Sequence, residues 1–197
     1  MKKIMMIAAM MVATLSANAQ NEVGQVTLQP KVGINIASMT GDTWADKKAK
    51  VGLVAGVEAE YGISENFGLD FGVLYSMEGC KLKTTGMDKS LSVNLDYINI
   101  PILAQFYAAK GFAIKAGIQP AFNVRHKASY DGESANLKDL GIETKSFNFS
   151  IPVGLSYEYQ SFVLDARYNI GVTKLFKDAD QGRNSTFSIT LGYKFAL

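Results

Sequence analysis

Few side chains in this sequence have the chemistry of a nucleophile or a general base. The chain contains one cysteine, Cys80, and one histidine, His126. No histidine lies near Cys80 in the sequence to act as its base, which favours an unreactive thiol over a nucleophile. No metal-ligand cluster, glycine-rich phosphate loop or pair of carboxylates stands out elsewhere. We therefore predict no catalytic residue, no cofactor and no metal site, and we expect that the chain is not an enzyme.

Charged residues at alternating positions are the other candidates for chemistry. The set is Lys31, Glu58, Glu60, Asp70, Lys115, Glu158, Asp165, Arg167 and Lys194. Its acids and bases are mixed along the chain, which favours ion pairs over a pair of catalytic carboxylates. We interpret this interior charge cluster either as a structural plug or as the lining of a proton or ion path. The elements that position these side chains decide which of them can meet.

Alternating apolar and polar residues predict that these elements are β-strands. Val51, Leu53 and Val57 share one face of an extended chain, while Gly56 and Glu58 share the other. This is the period of a strand and not of a helix. The pattern recurs in about eight segments, at residues 28–36, 51–61, 67–77, 91–106, 112–124, 147–159, 162–171 and 185–197.

The segment 91–106 breaks its own alternation. Its apolar residues stand at odd positions up to Tyr97 and at even positions from Ile98. One extra residue in a strand exchanges its two faces, so we predict a β-bulge near Tyr97 or Asn99, just before Pro101. Such a bulge would restore one continuous apolar face.

The connections between these segments alternate between short and long. The short ones are residues 62–66, 107–111 and 160–161, and the long ones are 39–50, 79–90, 127–145 and 174–183. Long and short loops then leave opposite ends of the sheet, as in outer-membrane barrels. The sequence therefore predicts an all-β fold, an eight-stranded antiparallel transmembrane up-and-down β-barrel. A soluble calyx of the lipocalin kind, with its apolar face inward, shows similar alternation.

Three features favour the membrane barrel over the calyx. Aromatic residues stand where strands meet the short turns, as in an interfacial girdle: Tyr61, Phe67, Phe106, Phe112, Tyr159, Phe162 and Phe195. Glycines crowd the polar face, which suits a narrow interior better than a ligand cup. The last strand resembles the C-terminal assembly signature of bacterial outer-membrane barrels, which the assembly machinery reads, at Thr190, Gly192, Phe195 and Leu197.

The first residues have the features of a secretory signal peptide. Lys2 and Lys3 precede an apolar run, and Ala17-Asn18-Ala19 is a small-residue cleavage site. We predict a cleaved signal peptide at residues 1–19, a short leader at 20–27, a barrel at 28–197 and a location in the cell outer membrane. Of 20 basic residues, loss of Lys2 and Lys3 leaves 18, equal to the 18 acidic residues. This balance gives no electrostatic case for nucleic acid.

Three motifs together resemble the PorT-like outer-membrane β-barrel proteins of Gram-negative bacteria. They are KVGINIASM at Lys31–Met39, FGLDFGVLYSMEG at Phe67–Gly79 and LDYINIPILAQF, with its Tyr-x-x-Ile-Pro pattern, at Leu95–Phe106. The resemblance implies a small eight-stranded barrel in the outer membrane, over about residues 30–197. Members of that family differ in role and only some are linked to protein secretion, so a secretion-associated role is a less favoured alternative.

The interior and the external loops are the places left for function. Side chains just fill the lumen of an eight-stranded barrel, so we expect a non-enzymatic barrel that acts structurally or binds through its loops. The alternative is a narrow porin-like channel. Some barrels of this size are lipid-modifying enzymes with serine and histidine at the outer rim, but their His-x-Ser pattern reads His126-Lys127-Ala128 here. Alternation also turns His126 toward lipid.

The first external loop contains the only tryptophan, Trp44. It is a candidate contact for a partner, or an anchor at the level of the lipid headgroups. The longest loop mixes both charges, which suits lipopolysaccharide or a protein partner. Outer-membrane lipid and the barrel assembly machinery are the other expected partners.

Overall fold

Alternating residues of opposite polarity give the chain a series of antiparallel strands. The computed structural model describes residues 23–40, 46–83, 90–130, 133–136, 146–173 and 183–197. Within them the strands are β1 (Val26–Thr40), β2 (Asp46–Ser64), β3 (Phe67–Lys83), β4 (Ser90–Asn99), β5 (Ile102–Ala109), β6 (Phe112–Tyr130), β7 (Glu133–Asn136), β8 (Phe147–Tyr159), β9 (Phe162–Gly171), β10 (Arg183–Tyr193) and β11 (Phe195–Ala196). The described residues include no helix of the length and apolarity needed to cross a membrane.

Pairing between the first and last strands closes the sheet into a barrel. β1 pairs with β2 on one side and with β10 and β11 on the other, and all pairings are antiparallel. β4 and β5 occupy one place in the ring, between β3 and β6, and β10 and β11 likewise occupy one place. β7 pairs only with β6, outside the ring. The described strands thus form a closed eight-stranded antiparallel barrel, which confirms the predicted fold class.

The break between β4 and β5 falls at Ile100 and Pro101. Pro101 has no N–H to give to a ladder, yet its carbonyl accepts a 3.1 Å hydrogen bond from Gly72 N. The Ile100 N–H donates to the carbonyl of Pro120 on β6 at 2.9 Å. The two segments therefore continue one another across the proline.

Short turns close one end of the barrel. They are Glu65-Asn66, Lys110-Gly111 and Gln160-Ser161. Gly111 has φ +71° and Gln160 has φ +56°, the left-handed conformation that a tight reversal demands. The connections of residues 41–45, 84–89 and 174–182 leave from the opposite end, so the short and long connections segregate as the sequence predicts.

The predicted bulge lies on the neighbouring strand. Between Asp96 and Tyr97 the register against β6 steps from Arg125 to Asn123, so Val124 is the extra residue. Alternation along β4 is therefore not shifted. Side chains at Val93, Leu95 and Tyr97 are 5%, 0% and 1% exposed and face the lumen. The expected outward apolar face over these residues is wrong, because apolar side chains fill this part of the interior.

The barrel also starts earlier than the sequence pattern indicates. β1 begins at Val26, inside the predicted leader of residues 20–27. Just before it, Gly24 N donates to the carbonyl of Gly62 and Gly62 N donates to that of Gln25, at 2.8 and 3.0 Å. This backbone pairing ties the start of the strand to β2. The predicted signal peptide lies outside the described residues.

Candidate functional site in the barrel lumen

Glycines on the inner wall make room for long charged side chains. Gly72 on β3 stands opposite Glu58 on β2. A Cβ at position 72 would lie 2.6 Å from Glu58 Cγ and 2.5 Å from the Val57 carbonyl oxygen. The missing side chain at Gly72 therefore lets Glu58 extend into the lumen.

Glu58 forms ion pairs with residues on two other strands of the barrel. Its carboxylate accepts a 2.6 Å hydrogen bond from the Lys31 ammonium. It also accepts a fork of two hydrogen bonds from the Arg167 guanidinium, from Nη1 at 2.8 Å and from Nη2 at 3.3 Å. Arg167 belongs to β9, while Glu58 belongs to β2. Because β1 and β10 lie between those strands, the fork crosses the lumen. Such two-point contacts are the strong form of an ion pair.

Asp165 and Asp70 extend the same network toward β6. Asp165 lies 2.8 Å from Arg167 Nη2, 3.6 Å from Lys31 and 3.4 Å from Lys115. Lys115 also contacts Asp70 at 2.7 Å. The side chains of these residues are at most 5% exposed. The charges therefore neutralise one another without help from bulk water.

A second group of charges lies near the short turns. Lys194 contacts Glu60 at 2.8 Å and Glu158 at 2.5 Å. The Tyr107 hydroxyl donates to Glu60 at 2.6 Å and accepts from Lys194 at 3.1 Å. With this group, the structure brings all nine residues of the interior charge cluster into the lumen, and each of them has an ionic partner. Sequence alternation did not single out Tyr107, although it shares the parity of Leu103.

Glu78 is a buried acid that the predicted cluster omits. Its carboxylate lies in the half of the lumen toward the long loops and accepts hydrogen bonds from Ser76 (2.6 Å), Asn99 (3.3 Å), Asn184 and Thr186 (3.3 Å). These four donors are neutral. The signal was present in the sequence, because Glu78 has the parity of Asp70 and Ser76 along β3.

Little space remains between the ion pairs around Glu58 and the hydrogen bonds around Glu78. A cavity of about 10 Å³ remains, lined by residues that include Lys31, Ser76, Asn99, Arg167 and Thr190. That volume holds about one water molecule. A hydrated ion is larger than this cavity.

The outer wall carries the apolar residues and the aromatic girdle. Girdle residues Tyr61, Phe106, Tyr159, Phe162 and Phe195 are exposed on the wall, and Phe67 and Phe112 are half-buried. Tyr193, which the predicted girdle omits, packs against Phe162 and Phe195 with ring centroids 5.2 and 4.7 Å apart. These rings surround the short-turn end, where a membrane interface would lie.

Trp44, Cys80 and His126 are the other residues that the sequence singles out. Trp44 and the side chain of Cys80 lie outside the described residues. His126 pairs with the lumen-facing Leu95, and its ring Nδ1 lies 3.2 Å from Asn123 Oδ1. The expectation that His126 faces lipid is wrong, because the extra residue at Val124 exchanges the faces of β6 beyond it.

The C-terminal residues of the assembly signature help to close the ring. Thr190 and Gly192 are buried in β10, opposite Gly33 and Lys31 of β1. Phe195 pairs with Leu28, and the Leu197 N–H donates to the Val26 carbonyl at 3.0 Å. The last residues of the chain are therefore part of the seam.

A closed barrel with apolar residues outside and ion pairs inside defines a small outer-membrane β-barrel protein. The chain belongs to the family of outer membrane protein beta-barrel domains, whose match covers residues 18–177. This membership places the chain in the outer membrane. No curated protein matches it.

Solved barrels of similar architecture have low sequence identity to this chain. Ail, the attachment invasion locus protein of Yersinia pestis, in complex with the heparin analogue sucrose octasulfate, is 17% identical, with a TM-score of 0.56 over 88% of this chain and 100% of that one. Neisserial surface protein A is 18% identical, with a TM-score of 0.56 over 86% and 97%. At these identities the likeness shows the fold alone.

Proposed function

We propose that this outer-membrane barrel is a non-enzymatic scaffold, closed to solutes by its interior charge cluster, whose external loops bind a partner. The observation that carries the proposal is the network that joins Glu58 to Arg167 across the lumen, with a cavity of only about 10 Å³ beside it. Ion pairs that span the lumen support an interior that is closed to ions. Loops on a rigid scaffold are the places where binding residues are most often found.

Conductance across a planar bilayer tests the closed lumen. We expect the purified barrel to show no steady conductance, under conditions in which a wide porin conducts. Discrete openings of the wild-type barrel would instead support the narrow-channel alternative. A variant with Arg167 replaced by Ala then tells whether the cluster governs those openings.

Support for a loop partner comes from the mixed charges of the longest loop and from Trp44, both noted in the sequence. Ail, a barrel of the same fold, was solved in complex with the heparin analogue sucrose octasulfate. Lipopolysaccharide and a protein are the partners we propose for this chain. Cross-linking in intact outer membrane, for wild type and Trp44→Ala, tests this: loss of a cross-linked species in the variant supports the loop site, and identical species contradict it.

Sequence motifs near the two ends of the chain support a proposal for export and assembly. We propose cleavage after Ala19 and recognition of the C-terminal signature by the barrel assembly machinery. The intact mass of protein isolated from the outer membrane should equal that of a chain that begins at Gln20. A mass that includes residues 1–19 would contradict cleavage. The PorT-like motifs support membership of that narrower group, and secretion of marker proteins by a deletion strain tests the associated role.

We also propose that this barrel has no enzymatic activity. His126 contacts Asn123 and faces the lumen, and position 128 is Ala, where the lipid deacylase pattern has serine. Incubation of the barrel with lipid A, followed by mass spectrometry, should show no loss of acyl chains.

A further inference from the structure

An acidic side chain on the outer wall is an unusual feature of this barrel. Leu95 and Tyr97 on β4 face the lumen, so Asp96 between them projects outward. Its side chain is nevertheless only 1% exposed. The Tyr75 hydroxyl donates to Asp96 Oδ2 at 2.6 Å, and Arg125 Nη1 lies 3.5 Å from the same oxygen. Tyr75 and Arg125 thus cover the acid.

The bulge on β6 is what brings Arg125 to this position. Arg125 is the register partner of Asp96, and both Arg125 and the extra residue Val124 point outward. The Arg125 side chain is 49% exposed. Because the guanidinium fork has five N–H donors and the contact to Asp96 is made by one nitrogen, the remaining donors can bind a second group.

The depth of Arg125 in the membrane follows from its aromatic neighbours. Phe122 and Phe147 are exposed on the wall and meet edge to face, with centroids 5.6 Å apart. Arg125 lies beyond Phe122 toward the long-loop end, past the start of β8 at Phe147. Aromatic residues mark the boundary of the hydrocarbon region, so Arg125 lies at the level of the lipid headgroups. Arginine on the lipid face is costly at the midplane and nearly neutral at this level.

We infer that Arg125, oriented by Asp96 and Tyr75, forms a site on the outer wall for the phosphate group of an outer-leaflet lipid. Planar guanidinium groups bind phosphate through two parallel hydrogen bonds. The Asp96 carboxylate is buried and paired with Arg125, so the exposed part of the guanidinium, and not the acid, meets the ligand. The site is separate from the external loops of the proposed function and from the lumen.

A lipid-retention experiment tests this site. Full-length mature barrel in phosphatidylcholine nanodiscs receives diphosphorylated lipid A as a minor component, and native mass spectrometry counts the lipid A that stays bound. Arg125→Gln should lower retention about tenfold, the worth of a hydrogen bond between charged groups. Asp96→Asn and Tyr75→Phe should lower it less, because they loosen the guanidinium without removing it. Arg183→Gln removes an exposed charge at the same end of the barrel, on β10, and should have no effect.

Three further measurements distinguish a phosphate site at Arg125 from nonspecific retention of lipid. Lipid A without phosphate should bind wild type as weakly as the phosphorylated form binds Arg125→Gln. Inorganic phosphate should not compete, and full competition would overturn the commitment to a lipid. Equal retention by wild type and Arg125→Gln, or equal losses in the Arg125 and Arg183 variants, would overturn the site. Heat-dependent gel mobility verifies folding, and Arg125→Lys, which keeps the charge without the fork, should retain an intermediate amount if the glutamine variant does not fold.

Discussion

Removal of Arg167 is the most informative perturbation of the lumen. Its guanidinium contacts Glu58 and Asp165, and all three side chains are at most 5% exposed. Loss of one partner from a buried ion pair costs about 3–5 kcal/mol, since the other charge is left without compensation. Lys31 remains 2.6 Å from Glu58, and Lys115 remains 3.4 Å from Asp165. We therefore expect Arg167→Ala to lower the free energy of unfolding by about 3 kcal/mol, the lower end of that range.

The measurement is equilibrium urea unfolding in vesicles, together with bilayer conductance. Arg167→Met keeps most of the volume and separates the lost charge from the cavity. In a double-mutant cycle, Glu58→Gln combined with Arg167→Met should be less destabilised than Arg167→Met alone, because the stranded carboxylate is gone. A stability change below about 0.5 kcal/mol, the usual range for surface sites, would refute the argument. Unchanged stability with a sharp rise in conductance would identify the charges as the lining of a gated pore.

Three further predictions concern the wall, the packing and the seam. Ile118→Arg or Val153→Arg on the exposed wall should destabilise the barrel by about 2–4 kcal/mol near the midplane. The control Ile118→Leu should stay within about 0.5 kcal/mol of wild type. Equal urea midpoints for the arginine and leucine variants would mean that this face does not meet lipid. Gly72→Ala should cost about 1–3 kcal/mol by overpacking against the Val57 carbonyl oxygen and Glu58 Cγ, and a Glu58→Ala background should relieve only the part of that cost that comes from Cγ. Deletion of residues 195–197 should slow refolding into vesicles and reduce the amount assembled in cells, and normal assembly of the truncated chain would contradict a role for the C-terminal signature.

Alternation in the sequence predicted the barrel and its lumen charges because parity is a local property of an extended chain. Each residue of the interior charge cluster except Lys194, which lies between β10 and β11, stands on the polar face of a segment that the structure shows as a regular strand. Parity fails after one inserted residue, and the insertion at Val124 is invisible in β6 alone, because it is defined by the register against β4. The faces of Arg125 and His126 were therefore out of reach of the sequence.

Alternation also could not predict which residues meet across the lumen. The carboxylate of Glu78 and the amide of Asn184 are 106 positions apart in the chain, and their meeting depends on the closure of the ring. The apolar filling by Leu95 and Tyr97 also depends on closure, since the same alternation fits an outward face when a strand is considered by itself. Periodicity therefore gives the face of a residue more reliably than its partner.

The distribution of charge along the lumen has a consequence for the proposed loop binding. The ion pairs lie toward the short turns, where the backbone reverses tightly, and the half toward the long loops is held by neutral hydrogen bonds such as Asn35 to Ser76 and Ser188 to Asn35. Displacement of the strand ends on that side would then break neutral contacts without stranding a charge from the cluster. The exceptions are Lys50, whose ammonium donates to the Glu78 carbonyl at 2.9 Å, and Glu78 itself, whose carboxylate joins β3 to Asn184 and Thr186 on β10 across the lumen. Its carboxylate ties together β3 and β10 near the ends from which the long loops depart, which supports a rim of fixed shape for the proposed loop binding.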